Sequence, residues 1–448
     1  MEKSIMEILA KETKGNNLCA EETIEERKAA TPSTKNTTEE TEHKEQAMKL
    51  TIVIIPAHLK NELENLPAGS RIYGTWSPSS QTATVTSICR PGETVETTSR
   101  HILAMIDGNE ELSSARNLPF KLSKDGVFTT HSGSPVEVHT YEESEYFNRT
   151  PFNKEVMSYL SKERILLVGC GSGGGHLALE LAKSGIGTLI LADPDLLEVH
   201  NVMRHVLGTA FIGQPKTMAM KALIGEHVPS CSCISIPEDL FQGERTRLAE
   251  VMETYKPTRI LAATDSPGIQ RLCQLAAIIY KLPFMSVGCS SNAIEGGIFL
   301  WEPESEREHQ HACYACINPG TPAHTGNFDY STDTPGSYGG EPALGLFVQH
   351  INTIAAIVQL QMILKDCPVK TNLGTTGKEK FETLGGRYIR VAGPYLQPVK
   401  GFITAPSPWS VTWMRVLPNK ECFICGDDID RQDVLFPPAP QPAQFVAL

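Results

Sequence analysis

The chain has 448 residues, 40% of them hydrophobic, which is enough for two or three globular domains. Its formal net charge of −12 argues against a nucleic-acid binder that works by neutralising phosphates. No apolar run is expected to reach the length of a membrane span, and the opening MEKSIMEILAKETKGNN lacks the unbroken apolar core of a secretory signal. The expectation is therefore a cytoplasmic protein, in which paired cysteines among the twelve serve as metal ligands rather than disulfides.

Residues 1–48 are polar and charged, too poor in apolar surface to offset their ordering entropy, and are expected to be disordered. Order is expected to begin at KLTIVIIP, a strand, followed by the helical AHLKNELENL and the strand-like RIYGTW, TATVTSICR and VEVHTY. These make a small α+β module over residues 49–140.

From Glu142 the segment EESEYFNRTPFNKEVMSYL reads as helix-rich and leads into the strand RILLVG. Helices and strands then alternate: HLALELAKSG, TLILAD, KTMAMKALIGEH, CISIPE, RTRLAEVMETY, RILAAT, GIQRLCQLAAIIYK and FMSVGC. Strands that are apolar throughout call for a parallel sheet covered on both faces, so residues 142–430 are read as an α/β, Rossmann-like, doubly wound domain. A Gly/Pro/Ser/Thr-rich loop follows from Asn318 to Glu341, then the long apolar helix LGLFVQHINTIAAIVQLQMILKD and the strand-like RYIRV and SVTWMRVL. Residues 431–448 form a proline-rich, extended tail.

The first chemical signal is GCGSGGGH. Gly169, Gly171 and Gly174 fit G-x-G-x-x-G between a strand and a helix, where free N–H groups and the helix dipole favour a phosphate. Asp193, at the end of the next strand, suits ribose hydroxyls. These residues alone do not distinguish a dinucleotide used for redox chemistry from a nucleotide that is consumed. Arg204 and Lys216 follow closely, and two cations near a phosphate suit a reaction that builds charge there better than hydride transfer.

Cys313-Tyr-Ala-Cys316 and Cys422-Phe-Ile-Cys425 make two C-x-x-C pairs, the donor set of a closed, structural zinc site. Such a metal ties the C-terminal segment back to the loop after the sheet.

Several of these motifs, in order, resemble the ThiF/MoeB-type adenylating proteins, which include the activating enzymes of ubiquitin-like modifiers. Asn201 and Arg204 match the family's N-x-x-R, Gly213 and Lys216 its G-x-x-K, and Thr264 and Asp265 its strand-end T-D. EYFNRTP resembles the segment before the first strand, which makes Arg149 the arginine that reaches into a partner subunit's active site. The resemblance implies a homodimer that uses ATP and Mg2+ to adenylate the C-terminal glycine carboxylate of a ubiquitin-like protein. Arg149, Arg204, Lys216 and Asp265 would be catalytic, with Asp265 on magnesium, and Gly169, Gly171, Gly174, Asp193 and Asn201 would hold the nucleotide. A capping role for Asp265 ahead of SPGIQR stays open beside the metal role.

Transfer onto a cysteine, and from there to a conjugating enzyme, is the next step that this family implies. The Asn318–Glu341 loop carries no cysteine, which leaves Cys289, Cys367 and Cys170 as candidates, each also readable as a small core residue. His205 stands where the family commonly has glutamine and reads as a hydrogen-bonding substitute. The strand–helix–strand order of KLTIVIIPAHLKNELENLPAGSRIYGTW resembles the start of a JAB-type deubiquitinase domain. The module lacks the H-x-H of such a protease, so it would be inactive and serve binding. The competing readings are activation of a sulfur carrier, a small molecule or tRNA by the same fold, an NAD-dependent oxidoreductase, and a catalytically dead scaffold.

Overall fold

The computed structural model describes residues 51–93, 101–105, 118–303, 312–318, 343–393 and 407–419 with few gaps, together with residues 422, 424, 425 and 435. The segments read as disordered (1–48) and as a loop (from 319 to 341), and the proline-rich tail apart from Leu435, lie outside the described residues.

The first elements build a five-stranded mixed sheet. Strand β1 (Ile52–Pro56) pairs in parallel with β3 (Thr82–Cys89) and β7 (Glu137–Tyr141). Strand β2 (Arg71–Ser77) runs antiparallel to β3 and to β4 (His101–Met105), giving the order β4-β2-β3-β1-β7. Helix α1 (Ala57–Leu63) and the hairpin β5–β6 (Phe120–Leu122, Phe128–Thr130) cover it. Val53, Ile55, Leu59, Leu63, Ile72, Val85, Leu103, Phe120 and Phe128 form its own core. The four expected strands and the helix are present, and β4 and the hairpin are additions.

The second sheet has eight strands in the order β10-β9-β8-β11-β12-β13-β14-β15. The parallel part comprises β8 (Arg164–Val168), β9 (Thr188–Ala192), β10 (Ser232–Ile236), β11 (Arg259–Ala262) and β12 (Phe284–Cys289). Antiparallel strands β13 (Glu295–Trp301), β14 (Gly386–Ala392) and β15 (Val411–Arg415) extend it. Successive side chains of a strand point to opposite faces, and here both faces are buried. Ile165 and Leu167 enter one core; Leu166 and Val168 enter the other. The first core is capped by α3 (Ser172–Lys183), α4 (Lys216–His227), α8 (Gly345–Leu364) and α9 (Asn372–Thr383), the second by α5 (Thr246–Tyr255) and α6 (Pro267–Ile279). Helix α2 (Lys154–Leu160) precedes β8, and the short α7 (Tyr314–Ile317) carries the first cysteine pair. This is an α/β, Rossmann-like, doubly wound sheet.

One expectation needs correction. Helix α8 is 20 residues long and apolar enough, by length and composition, to cross a membrane. In the fold it is a core helix: Ile351, Ala355, Val358 and Ile363 are buried against α3 and the sheet. Its apolar character comes from being covered on most of its circumference.

Strand order reverses between β8 and β11, whose crossovers leave to opposite sides. Ligands of open α/β sheets bind outside the carboxyl ends of the strands at such a point. The Gly169 turn follows β8 and Thr264–Asp265 follows β11, so both motifs arrive at this crevice.

Candidate nucleotide site and cysteine cluster

The turn after β8 is shaped by its neighbour. Gly169 has φ +96°, and a Cβ there would come within 2.7 Å of the Ala263 carbonyl at the end of β11. Only glycine satisfies both the backbone angle and the approach. At Gly171, the residue before α3, a Cβ would meet nothing within 4 Å. The space in front of the helix N-terminus is open, and the first N–H groups of a helix have no partner inside it. That is a cradle suited to a phosphate.

Two buried side chains pin this turn. Asp193 Oδ2 accepts a hydrogen bond from the Cys170 N–H at 2.6 Å, and Oδ1 accepts one from the Asp195 N–H at 2.9 Å. Burial raises the Asp193 pKa, opposed by Lys216 and these two backbone donors. One lone pair on each oxygen thus organises protein rather than ligand. His205 accepts a hydrogen bond from the Leu207 N–H on Nδ1, at 3.0 Å, so its proton sits on Nε2 and is donated to the Cys170 carbonyl at 2.7 Å. Burial depresses its pKa to about 4, with Lys216, His176 and Arg204 adding to the effect against the hydrogen bond to Cys170. At neutral pH it is an uncharged brace.

Lys216 is placed by a short antiparallel contact. Leu196 bridges to Pro215, the Leu197 N–H donates to the Gln214 carbonyl, and the Lys216 N–H donates to the Asp195 carbonyl. Gly213, φ +84°, makes the turn that permits this. The Lys216 side chain is 10% exposed and its Nζ lies 2.7 Å from Asp195 Oδ2. Burial opposes its charge, but Asp193 and Asp195 more than compensate, and its pKa is raised. Asp195 thus joins the candidate site through Lys216, although no motif in the sequence marks it beyond the D-P-D spacing at the end of β9.

Asn201 is buried, and its Oδ1 accepts the Glu198 N–H at 3.0 Å. Its carbonyl accepts the N–H groups of Arg204 and His205, which turns the chain so that Arg204 follows. Arg204 is half-buried against the start of α8, where a Cβ on Gly345 would come within 2.8 Å of its Cα.

Asp265 is not the cap of α6. Ser266 is, accepting the Ile269 N–H on its Oγ. The Asp265 carboxyl is therefore not spent on the helix. Asp265 is exposed to solvent at its surface, yet partial desolvation in the crevice and the Asp195 carboxylate raise its pKa, against the lowering by its own backbone N–H, Lys216 and Arg204. Two cations and two carboxylates thus share one electrostatic neighbourhood at the crevice. Cys289, at the end of β12 with its surface open to solvent, belongs to it as well: partial desolvation by the surrounding crevice raises its pKa, Arg204 lowers it and Asp265 raises it. Cys170 and Cys367 are buried in the first core, and burial raises the Cys170 thiol pKa well above its ordinary value.

Arg149 is not brought to this cluster. A cavity of about 280 Å³ lined by Phe147, Met157, Ser161, Gly185, Ile186 and Val228 lies where β8, β9 and β10 begin. Arg149, two residues after Phe147, is exposed at that end. Strand β8 runs from that end of the sheet to the Gly169 turn.

The two C-x-x-C pairs do meet. All four Sγ atoms lie within 4.8 Å of one another, with Cys313–Cys316 at 3.9 Å, Cys313–Cys422 at 3.5 Å and Cys316–Cys425 at 3.5 Å. Zinc–sulfur bonds of about 2.3 Å in a tetrahedron put sulfurs about 3.8 Å apart, so the cluster fits such an ion. The Asn419 N–H donates to Cys316 Sγ, and Cys313, Cys422, Ile424 and Leu435 join the second core.

The profile of the ThiF family matches residues 146–381. The Arabidopsis thaliana adenylyltransferase and sulfurtransferase MOCS3 is 27% identical over 197 residues, 43% of this chain and 39% of that protein. The Bacillus subtilis tRNA threonylcarbamoyladenosine dehydratase is 35% identical over 101 residues, 22% of this chain and 39% of that protein. This chain aligns with less than half the length of either relative. A crystal structure of E. coli MccB with MccA-N7isoASN is 18% identical, with a TM-score of 0.44 over 60% of this chain and 69% of that one.

Proposed function

The chain belongs to the ThiF family, and from that membership we propose that it uses ATP and Mg2+ to adenylate the C-terminal glycine carboxylate of a ubiquitin-like protein. The observation that carries this reading is that the Gly169 turn, open in front of α3 at Gly171, abuts the Ala263–Thr264 backbone just before Asp265, with Lys216 and Arg204 within electrostatic reach of Asp265.

The glycine turn and the α3 N-terminus would receive the phosphates, with Asp193, Asp195 and Asn201 shaping the nucleotide side. Asp265 would hold Mg2+, which supplies charge neutralisation at the phosphates when bound. Lys216 and Arg204 stabilise the negative charge that grows as the carboxylate attacks the α-phosphorus and pyrophosphate departs. The nucleophile is already ionised at neutral pH, so no general base is required. The Cys313–Cys316–Cys422–Cys425 cluster would hold structural zinc. Cys289 is the cysteine we assign to subsequent thioester formation, because it alone of the three candidates is both exposed and beside Asp265 and Arg204.

Arg149 would act in a second copy's site, which its position far from its own crevice supports. Mixing Arg149→Ala with Asp265→Ala chains then restores exchange at one site per heterodimer; no recovery counts against the arrangement. Residues 1–48, 49–140, 142–430 and 431–448 remain the proposed divisions of the chain, with the 49–140 module as an inactive, JAB-like binding unit. A cytoplasmic setting and a conjugating enzyme as the next acceptor complete the proposal.

A second reading, activation of a sulfur carrier, is favoured by the names of relatives such as MOCS3. Both readings require exchange of labelled pyrophosphate into ATP, and the test adds candidate β-grasp proteins ending in glycine. Exchange with none of them, together with a change in nicotinamide absorbance, would favour an oxidoreductase instead.

A further inference from the structure

Helix α8 carries a polar side chain that its surroundings do not satisfy. Asn352 is 4% exposed. Its Nδ2 donates to the Val348 carbonyl at 2.8 Å, which fixes which end of the amide is oxygen. Its Oδ1 has no hydrogen-bond partner among the described residues. A buried acceptor left without a donor loses its hydration with no return, so a persistent one calls for an explanation.

The amide lies against the candidate phosphate cradle. A Cβ on Gly173, in the first turn of α3, would come within 2.7 Å of Asn352 Nδ2 and 3.1 Å of Oδ1. Glycine at 173 leaves room for the amide, and the amide forms a wall of the turn on the side of α8. Seven residues earlier, Gly345 of the same helix abuts Arg204. Helix α8 therefore touches both the phosphate turn and one of the two cations.

An acceptor in this place needs a donor that arrives with the ligand. Phosphate oxygens are acceptors, and the N–H groups at the start of α3 point to them. The nucleotide's own donors, the ribose hydroxyls and the adenine amine, belong to the nucleoside side at Asp193; at the phosphates the donors are the waters of the divalent cation, since magnesium keeps several waters when it binds phosphates. Resting on the adenylation reading above, we propose that Asn352 is a positioning residue whose Oδ1 accepts a hydrogen bond from a magnesium-bound water. It thereby fixes the hydrated ion that Asp265 holds from the end of β11.

The test is pyrophosphate exchange by the full chain as Mg2+ is titrated at saturating ATP, and as ATP is titrated at saturating Mg2+. Asn352→Val is expected to raise half-saturating Mg2+ about tenfold, the usual scale for losing an outer contact to a metal. Its rate at saturating Mg2+ stays near that of the unaltered protein and its melting temperature does not fall. Asn352→Asp keeps an acceptor and is expected to need no more Mg2+ than the unaltered protein. Unchanged Mg2+ dependence in Asn352→Val overturns the proposal. Should that variant fail to fold, a weakened Mg2+ response in Asn352→Asp overturns it, and an undiminished one supports it. Absence of exchange in the unaltered protein removes the adenylation reading and this proposal together, whereas normal exchange with unchanged Mg2+ dependence removes only the role of Asn352.

Discussion

The ammonium of Lys216 lies 2.7 Å from the carboxylate of Asp195, and the backbone of the same two residues is joined by a hydrogen bond from the Lys216 N–H to the Asp195 carbonyl. The cation is held at both its ends, close to the crevice and largely out of water. A charge fixed in this way needs no reorganisation when a phosphate arrives, which is what electrostatic stabilisation demands.

Asp195→Asn should therefore lower exchange activity less than Lys216→Ala does. Lys216→Ala removes the charge itself and is expected to cost about 10²-fold or more in rate. Asp195→Asn leaves the charge and loosens its hold. Rates measured at saturating ATP decide this, and equal losses in both variants would assign Asp195 a role of its own.

His205 makes a pH-dependent contribution to stability. Its folded pKa is about 4 against an ordinary value of 6.5. Above pH 6.5 both states are neutral and nothing is gained or lost. Between pH 6.5 and 4 the unfolded chain takes up a proton that the folded chain refuses, so stability falls as pH drops, by up to about 3 kcal/mol. His205→Gln should flatten this part of the melting-temperature profile. Parallel profiles for the two proteins would place the titration elsewhere.

The cysteine cluster predicts one tightly held metal per chain. Chelation, or Cys422→Ser, should release it and lower the melting temperature, because closed thiolate sites contribute directly to folding. Metal analysis and scanning calorimetry check this together. A protein that contains no metal and melts alike with and without chelator would mark the cluster as a thiol group only.

Cys289 should carry any thioester. A reducing-agent-sensitive adduct with the carrier should form in the unaltered protein and vanish in Cys289→Ala, while pyrophosphate exchange persists. Partial desolvation in the crevice and the nearby Asp265 carboxylate raise the Cys289 pKa, so the thiolate fraction, and with it adduct formation, should increase as pH rises above neutrality. Persistence of the adduct in Cys289→Ala would exclude this residue.

The parallel strands were legible because a strand buried on both faces reads as a short unbroken apolar run, as RILLV and TLILA do. Strand β13, EGGIFLW, was not, since Gly296 and Gly297 interrupt the run where Ile351 and Tyr388 need the space. Helix α9, NLGTTGKEKFET, was missed for a similar reason. Its Gly374 and Gly377 weaken the helical signal, yet they let the backbone of α8 approach at Leu364 and Gln361. In the candidate site, motif residues such as Lys216 and Asp265 announced themselves by position after a strand or turn. Asp195 and Asn352 did not, because what distinguishes them is a neighbour in space: the Lys216 ammonium for one, and the backbone at Gly173 for the other.

Everything proposed for the crevice requires that Lys216, Arg204 and Asp265 act on the α-phosphate of ATP. Exchange of labelled pyrophosphate into ATP, in the presence of a glycine-terminated β-grasp carrier, tests it most directly. Carrier-dependent exchange is expected in the unaltered protein, and its loss in Asp265→Ala with the melting temperature retained. Undiminished exchange in folded Asp265→Ala would contradict it.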